Sequence, residues 1–273
     1  DNPEIEKEIK NKIICITGAA GSIGSELARQ ALTYKPHTLI LIDQAESPLY
    51  EIERELRTRN QQSRLLVFVA NICNKARINT IFRDYKPEIV FHAAAYKHVP
   101  LMESNPSEAV MVNVFGTRTL ADMAIENKVK KFVMISTDKA VNPTNVMGCT
   151  KRIAEIYVQA LDRYYNKMGI EKTSFVTTRF GNVLGSNGSV IPIFKDQILK
   201  GGPLTVTHPD ITRFFMTIPE ACELVIEAGS MGQGGEIFLF DMGKPIKIFD
   251  LAKETIQLSG KEMGKDIEIE FNG

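Results

Sequence analysis

One stretch near the N-terminus constrains the fold more than any other. The apolar run Ile13-Ile14-Cys15-Ile16-Thr17 leads directly into Gly18-Ala-Ala-Gly21-Ser-Ile-Gly24, and the stripe Ile23, Leu27, Ala31 then reads as one face of a helix. Glycines at such a strand-to-helix turn let the backbone approach a pyrophosphate, whose charge is met by N–H groups and the helix dipole. A second β-branched run, Thr38–Asp43, ends in Asp43, 19 residues past Gly24. There a carboxylate can accept hydrogen bonds from both ribose hydroxyls, and it repels a 2′-phosphate, which favours NAD over NADP. A tight turn followed by a surface aspartate explains any one of these features but not their joint placement. Gly18, Gly21, Ser22, Ile23, Gly24 and Asp43 are therefore the first candidate cofactor residues.

The same alternation continues. The first strand reads as Lys12–Thr17, and further strands read at Arg64–Ala70, Glu88–His92, Lys131–Ser136 and Thr173–Thr178. One helical face runs through Val110, Val114, Thr117, Ala121 and Ala124, and a long helix is expected from Val146 to Met168. Strands alternating with helices imply an α/β fold, a Rossmann-type doubly wound parallel sheet, with a smaller C-terminal substrate-binding lobe. The NAD-binding domain is expected over 12–180. The lobe is expected over 181–273, interleaved with that domain, where the Gly-rich stretches Asn182–Ser189 and Gly201–Pro203 and the helical patterns Thr217–Ala228 and Lys247–Ser259 fall. Residues 1–11 lack a strong apolar stripe and read as a linker or arm. The chain begins at Asp1 rather than Met, so the natural protein is expected to be longer.

Charge narrows the partners. Lys plus Arg and Asp plus Glu both number 33, so no net field draws the chain to nucleic acid or to an anionic membrane. No apolar run approaches the roughly 20 residues that span a bilayer. Cys15, Cys73, Cys149 and Cys222 are scattered and read as reduced packing thiols. The four histidines have no partner spacing for a metal, and none is expected.

The GxxGxxG spacing resembles the short-chain dehydrogenase/reductase superfamily, especially its extended, sugar-nucleotide-modifying branch. His92-Ala-Ala-Ala-Tyr-Lys-His-Val-Pro100, Asn113-Val-Phe-Gly-Thr117, Ser136-Thr-Asp-Lys-Ala-Val-Asn-Pro143, Asn145-Val-Met-Gly-Cys-Thr-Lys-Arg152 and Arg179-Phe-Gly-Asn-Val-Leu-Gly-Ser186 together resemble the nucleotide-sugar 4,6-dehydratases. Within these the match is to the catalytic domain of the membrane-anchored bacterial polysaccharide-biosynthesis type, which acts on UDP-N-acetylglucosamine. The resemblance covers nearly the whole chain. It implies hydride transfer from sugar C4 to NAD, loss of the C5 proton with the C6 hydroxyl, and return of the hydride to C6.

By that resemblance Asp138 is the acid for C6, Lys139 the base for C5, and Thr137 a hydrogen-bond donor to the C4 oxygen. Their place after the fifth strand, at the carboxyl edge of an open sheet, suits this chemistry. Most of the superfamily carries Tyr four residues before the helix lysine. Here the pair is Met147 and Lys151, and a thioether cannot accept the C4 hydroxyl proton. Asp138, a water or Lys151 itself remain as bases, while Lys151 is expected to hold the nicotinamide ribose. The dehydratase subgroup with Met is associated with retention at C5.

Asn71, Ile72, Ala93 and Ala94 complete the expected cofactor set, with Asn71 standing where relatives often carry Asp. Lys97, His98, Asn113, Arg179, Asn182, Ser189, Val190 and Arg213 are the expected substrate contacts, the arginines because a guanidinium fork suits a diphosphate. Either arginine can instead serve a salt bridge. The chain ends at Phe271-Asn-Gly273, short of an Arg-Pro-Gly segment that such proteins use on uridine diphosphate. Rival readings are a non-catalytic NAD-binding regulatory module, an ordinary dehydrogenase and a UDP-sugar 4-epimerase. The resemblance further implies a homodimer or higher homo-oligomer, paired through the helices carrying Val110–Ala124 and Met147–Leu161, on the cytoplasmic side as a domain of a membrane-anchored protein.

Overall fold

The architecture follows from a computed structural model of the chain that describes residues 3–59, 62–170, 173–186 and 188–272. Asp1 and Asn2 of the expected arm, Asn187 of the Gly-rich stretch and Gly273 lie outside the described residues. The chain divides into two compact units, 1–179 with 222–240, and 180–221 with 241–273.

In the first unit, α1 (Pro3–Ile9) precedes β1 (Ile13–Thr17), α2 (Ser22–Thr33), β2 (Thr38–Asp43), α3 (Glu46–Arg59), β3 (Arg64–Val69), α4 (Lys75–Tyr85) and β4 (Ile89–His92). Then come α5 (Val99–Ser104), α6 (Pro106–Ala109), a π-helical segment (Val110–Gly116), α7 (Thr117–Glu126), β5 (Lys131–Thr137), α8 (Val146–Met168) and β6 (Ser174–Phe180). In the second unit follow β7 (Asn182–Leu184), α9 (Val190–Leu199), β8 (Leu204–Val206), β9 (Thr212–Arg213) and β10 (Phe215–Thr217). Along the chain the unit boundary falls within α10 (Ile218–Met231), which is followed by β11 (Ile237–Leu239). β12 (Ile246–Lys247), α11 (Ile248–Leu258) and β13 (Ile269–Phe271) complete the second unit.

Seven strands form one sheet in the order β11-β6-β5-β4-β1-β2-β3. β1 pairs in parallel with β2 and β4, β2 with β3, β4 with β5, and β6 with β11. The order reverses beside β1, and ligands of such sheets bind at that switch point, past the carboxyl ends of the strands. β2 and β5 are buried along nearly their whole length, as strands covered on both faces must be. The Asn145 carboxamide caps α8 by accepting from the Gly148 N–H at 2.8 Å, and Gly169, at φ +65°, ends that helix.

The structure departs from four of the expectations. Residues 3–9 are not a loose arm but a helix, because Ile5 and Ile9, one turn apart, are both buried. The face through Val110 and Ala124 is not one α-helix: its first seven residues form the wider π turn before α7 begins. Residues 222–240, expected in the C-terminal lobe, return to the first unit because β11 adds to the sheet against β6. The reading of all four cysteines as packing thiols holds for Cys15 and Cys222, which are buried; Cys149 is exposed on α8 and Cys73 is half-buried. The second unit packs around Phe194, Ile198, Leu204, Val206, Ile248 and Ile256. Among the described residues no helix is long and apolar enough to cross a membrane.

Candidate active site

The glycine turn is built as a cradle. A Cβ on Gly18, which sits at φ +68°, would lie 2.5 Å from the Ala94 backbone nitrogen, and one on Gly24 would lie 2.0 Å from the Gly18 carbonyl oxygen. At Gly21 the nearest atom would be 3.3 Å away. Gly18 and Gly24 are thus required by packing, whereas at Gly21, the N-cap of α2, a methyl group would ask the Gly18 carbonyl to give by only a few tenths of an ångström. The first turn of α2, with Ser22, Ile23 and Gly24, aims backbone N–H groups out of the helix start. At the tip of β2 the Asp43 carboxylate accepts from the Ala20 N–H at 3.0 Å and the Ala45 N–H at 2.9 Å, which fixes its orientation beside the loop. Ala93 and Ala94, past β4, form the wall against Gly18. These features fit the pyrophosphate and ribose of a dinucleotide. Asn71 uses its Oδ1 to accept from the Cys73 N–H at 2.8 Å, and the Ile72 side chain is buried in the core, so only the Ile72 backbone is left for a ligand.

Past β5, Thr137, Asp138 and Lys139 lie in one hydrogen-bonded strip. The Thr137 hydroxyl donates to Asp138 Oδ1 at 3.0 Å, Lys139 Nζ lies 3.2 Å from the same oxygen, and the Lys139 N–H donates to Thr137 Oγ1 at 3.3 Å. The carboxylate is half exposed and the ammonium about one third exposed, so both are within reach of a ligand. A Cβ on Gly148 would lie 2.2 Å from the Lys139 carbonyl oxygen, so that glycine lets α8 start directly beneath the strip. Lys151, on the same helix, is 5% exposed and its Nζ donates to the Ile135 carbonyl at 2.7 Å. Burial pulls its pKa down to about 8, against an opposing pull from Glu155. Met147 is buried with Met102 and Ala109 and is packed by Tyr96 and Val99. It fills space and carries no proton.

Several expected substrate contacts are otherwise engaged. Asn113 is fully buried: its Nδ2 donates to the Tyr96 carbonyl at 2.9 Å and to Thr150 Oγ1 at 3.1 Å, and its Oδ1 accepts from the Tyr96 N–H at 2.8 Å. These bonds make it a brace for the loop after β4. For Arg179 the structure takes the salt-bridge alternative, its fork closing on the buried Glu155 carboxylate through Nε at 2.8 Å and through Nη2. Lys97 and His98 follow β4 as exposed residues. Desolvation disfavours the charged form of each, and Lys97 adds to the effect on His98. In the second unit Asn182 opens β7 and Val190 opens α9. The Ser189 Oγ is buried without a hydrogen-bond partner among the described residues, an orphan of the kind a ligand relieves. Arg213 is exposed on β9, its Nη1 donating to the Thr212 carbonyl at 2.9 Å.

Against this geometry the comparisons are decisive for kinship. A family model described as polysaccharide biosynthesis protein matches residues 14–273. The chain belongs to this family. Its fold is shared with a dTDP-glucose 4,6-dehydratase of Streptomyces venezuelae, which superimposes with a TM-score of 0.81 at 21% identity, covering 95% of this chain and 84% of that one. It is 56% identical over 270 residues to the capsular polysaccharide biosynthesis protein CapD of Staphylococcus aureus, a match covering 98% of this chain and 44% of that protein. The chain therefore spans less than half the length of that relative. A UDP-N-acetylglucosamine 4,6-dehydratase (inverting) of Campylobacter jejuni is 36% identical over 243 residues, 88% of this chain and 70% of that enzyme. A UDP-glucose 4-epimerase of Rickettsia akari is also 36% identical, over 251 residues, 90% of this chain and 70% of that enzyme. Among solved structures, Pen from Bacillus thuringiensis superimposes with a TM-score of 0.89 at 37% identity, covering 97% of this chain and 79% of that one.

Two buried residues of this family member have roles that sequence reasoning missed. His92 is fully buried between Thr17 and Thr117, each hydroxyl 2.8 Å from a ring nitrogen. Thr117 gives its own proton to the Asn113 carbonyl at 2.7 Å, so His92 Nε2 must donate to it, and in the neutral ring Nδ1 then accepts from Thr17. Burial, and then Lys151, push the ring's pKa down to about 3, which keeps it neutral. It ties β1, β4 and α7 together just before Ala93. Glu155 is the second.

Proposed function

We propose that this chain carries out NAD-dependent 4,6-dehydration of UDP-N-acetylglucosamine, giving a UDP-4-keto-6-deoxy sugar with retention at C5, for polysaccharide assembly. The observation that carries this reading is the Thr137-Asp138-Lys139 strip at the carboxyl edge of β5, an acid and a base 3.2 Å apart and open to a ligand. Gly18, Gly21, Gly24 and Asp43 would hold NAD, which when bound supplies a reversible hydride acceptor and so makes the C5 proton acidic. Thr137 orients the sugar through its hydroxyl. Asp138 takes the C4 hydroxyl proton as the hydride leaves C4 and delivers it to the departing C6 hydroxyl, which leaves as water. Lys139 takes the C5 proton and gives one, exchanged with solvent, back to C5 as the hydride returns to C6. Lys151, behind the strip, holds the ribose. Met147 supports the reading by exclusion, since the epimerase reaction leans on a phenol at that place. Retention is inferred from that methionine, although the Campylobacter relative inverts.

NMR of the sugar nucleotide in D2O with added NAD tests this. A C6 methyl signal with deuterium at C5 is expected, and Asp138→Asn or Lys139→Ala should slow its appearance by about 10²- to 10⁴-fold. NAD binding with an unchanged sugar would favour a regulatory module; a product still hydroxylated at C6 would favour an epimerase.

A further inference from the structure

Glu155 lies one turn beyond Lys151 on α8, and its carboxylate is fully buried. Side chains from three elements converge on it. The Ser136 hydroxyl of β5 donates to Oε1 at 2.6 Å, Arg179 of β6 donates to both oxygens, and Arg152 of α8 donates to Oε2 at 3.0 Å. Together these donors outweigh burial and keep the carboxyl below its usual range.

The donors lead to the reactive strip. Ser136 immediately precedes Thr137, and the residue before it, Ile135, gives its carbonyl to Lys151. Two consecutive residues at the end of β5 are thus held by two side chains of α8 spaced i, i+4. A salt bridge that served only to join β6 to α8 needs Arg179 and Glu155 alone, and leaves the Ser136 bond without a purpose.

We propose that Glu155 is a positioning residue of the active site, which with Lys151 clamps the end of β5 to α8 and so fixes where Thr137, Asp138 and Lys139 stand. This rests on the reading above in one respect, that the strip carries the chemistry. Glu155 touches no reacting atom and acts through Ser136 and Lys151. The groups facing Lys151 are the Glu155 carboxylate from its own helix, neutral His92 from β4 and the Ile135 carbonyl from β5, with Arg152 and Arg179 standing behind the carboxylate. Loss of the carboxylate leaves desolvation of Lys151 unopposed and moves its titration downward.

The test combines kinetics with NMR of protein labelled at lysine Cε, the Lys151 signal being identified by its loss in Lys151→Met. Glu155→Gln should lower the Lys151 midpoint by about half a unit or more. Glu155→Asp, which keeps the charge but shortens the reach to Ser136, should restore the midpoint while kcat stays low. Ser136→Ala should leave the midpoint and thermal unfolding near wild type, shift the backbone amide signals of Thr137 to Lys139, and lower kcat about 10-fold or more with KM little changed. If Glu155→Gln fails to fold because Arg179 is stranded, Glu155→Gln with Arg179→Gln removes that buried cation, and a low kcat is still expected. Wild-type kcat and unmoved amides in Ser136→Ala, or an unmoved midpoint in folded Glu155→Gln, would overturn the proposal. Should the wild type not turn over the sugar nucleotide, the dehydratase reading fails, while the Lys151 midpoint and the amide shifts still judge the clamp.

Discussion

Lys151 shows how a single buried cation couples stability to chemistry. Its pKa is lowered from 10.5 to about 8, so between those pH values the unfolded chain binds a proton that the native chain lacks, and stability rises with pH through that window. Below about pH 8 both states are protonated and the cost of burying the charge is present in full, on the order of 3 kcal/mol. Lys151→Met removes that cost with little change in volume. Urea unfolding should find the variant more stable than wild type at pH 7.5, with the gap closing by pH 10, while NAD affinity falls; a gap independent of pH would refute the assignment. The same scale shows what the sequence could reveal. The glycines, Asp43 and the 137–139 strip announce themselves because neighbouring letters form one pattern. His92 and Glu155 do not, because each is a lone polar letter in an apolar run with partners as far as 75 and 24 residues away in the chain. Asn113 and Arg179 were recognised as special residues, yet their partners, and so their bracing roles, are set by tertiary contacts.

At the scale of elements, periodicity served where burial is continuous. Thr38–Asp43 and Val146–Met168 run as their patterns require, because a strand covered on both faces and an amphipathic helix each leave a strong signal. The helix α1 hides its two isoleucines among charges, and the π turn at Val110–Gly116 shares its spacing with an α-helix over so short a span. The β1-to-α2 connection supports a sharper forecast, because its glycines have separable duties. At Gly24 a methyl group meets the Gly18 carbonyl at 2.0 Å, so Gly24→Ala should push α2 away from the loop, lowering both the unfolding temperature and NAD affinity. At Gly21 the nearest atom is 3.3 Å away, so Gly21→Ala should leave the unfolding temperature within a degree or two, yet weaken NAD about 10-fold or more by crowding the pyrophosphate. Calorimetric titration beside thermal melts separates the two, and equal losses of stability in both variants would show that the cradle is merely a tight turn.

At the scale of the molecule, the first unit leaves apolar area uncovered where the sheet offers no cover for it. Met111 and Phe115 on the π turn are 46% and 43% exposed, and Ile153 and Ile156 on α8 are 49% and 51% exposed. These two segments pack on each other, and a flank presenting all four side chains would be a clustered apolar surface. A clustered apolar surface of this kind marks an interface more often than a free face. With no net charge on the chain, nothing at long range opposes self-association. A second copy meeting this flank by two-fold symmetry would bury the same residues on both sides. Sedimentation should therefore find a dimer at micromolar concentration, and Phe115→Lys with Ile156→Lys should convert it to a monomer. Neither residue lies in the glycine cradle or the 137–139 strip, so the monomer should still bind NAD. A wild-type chain that sediments as a monomer would leave this flank to another partner, whereas a double variant that remains dimeric would place the contact elsewhere on the molecule.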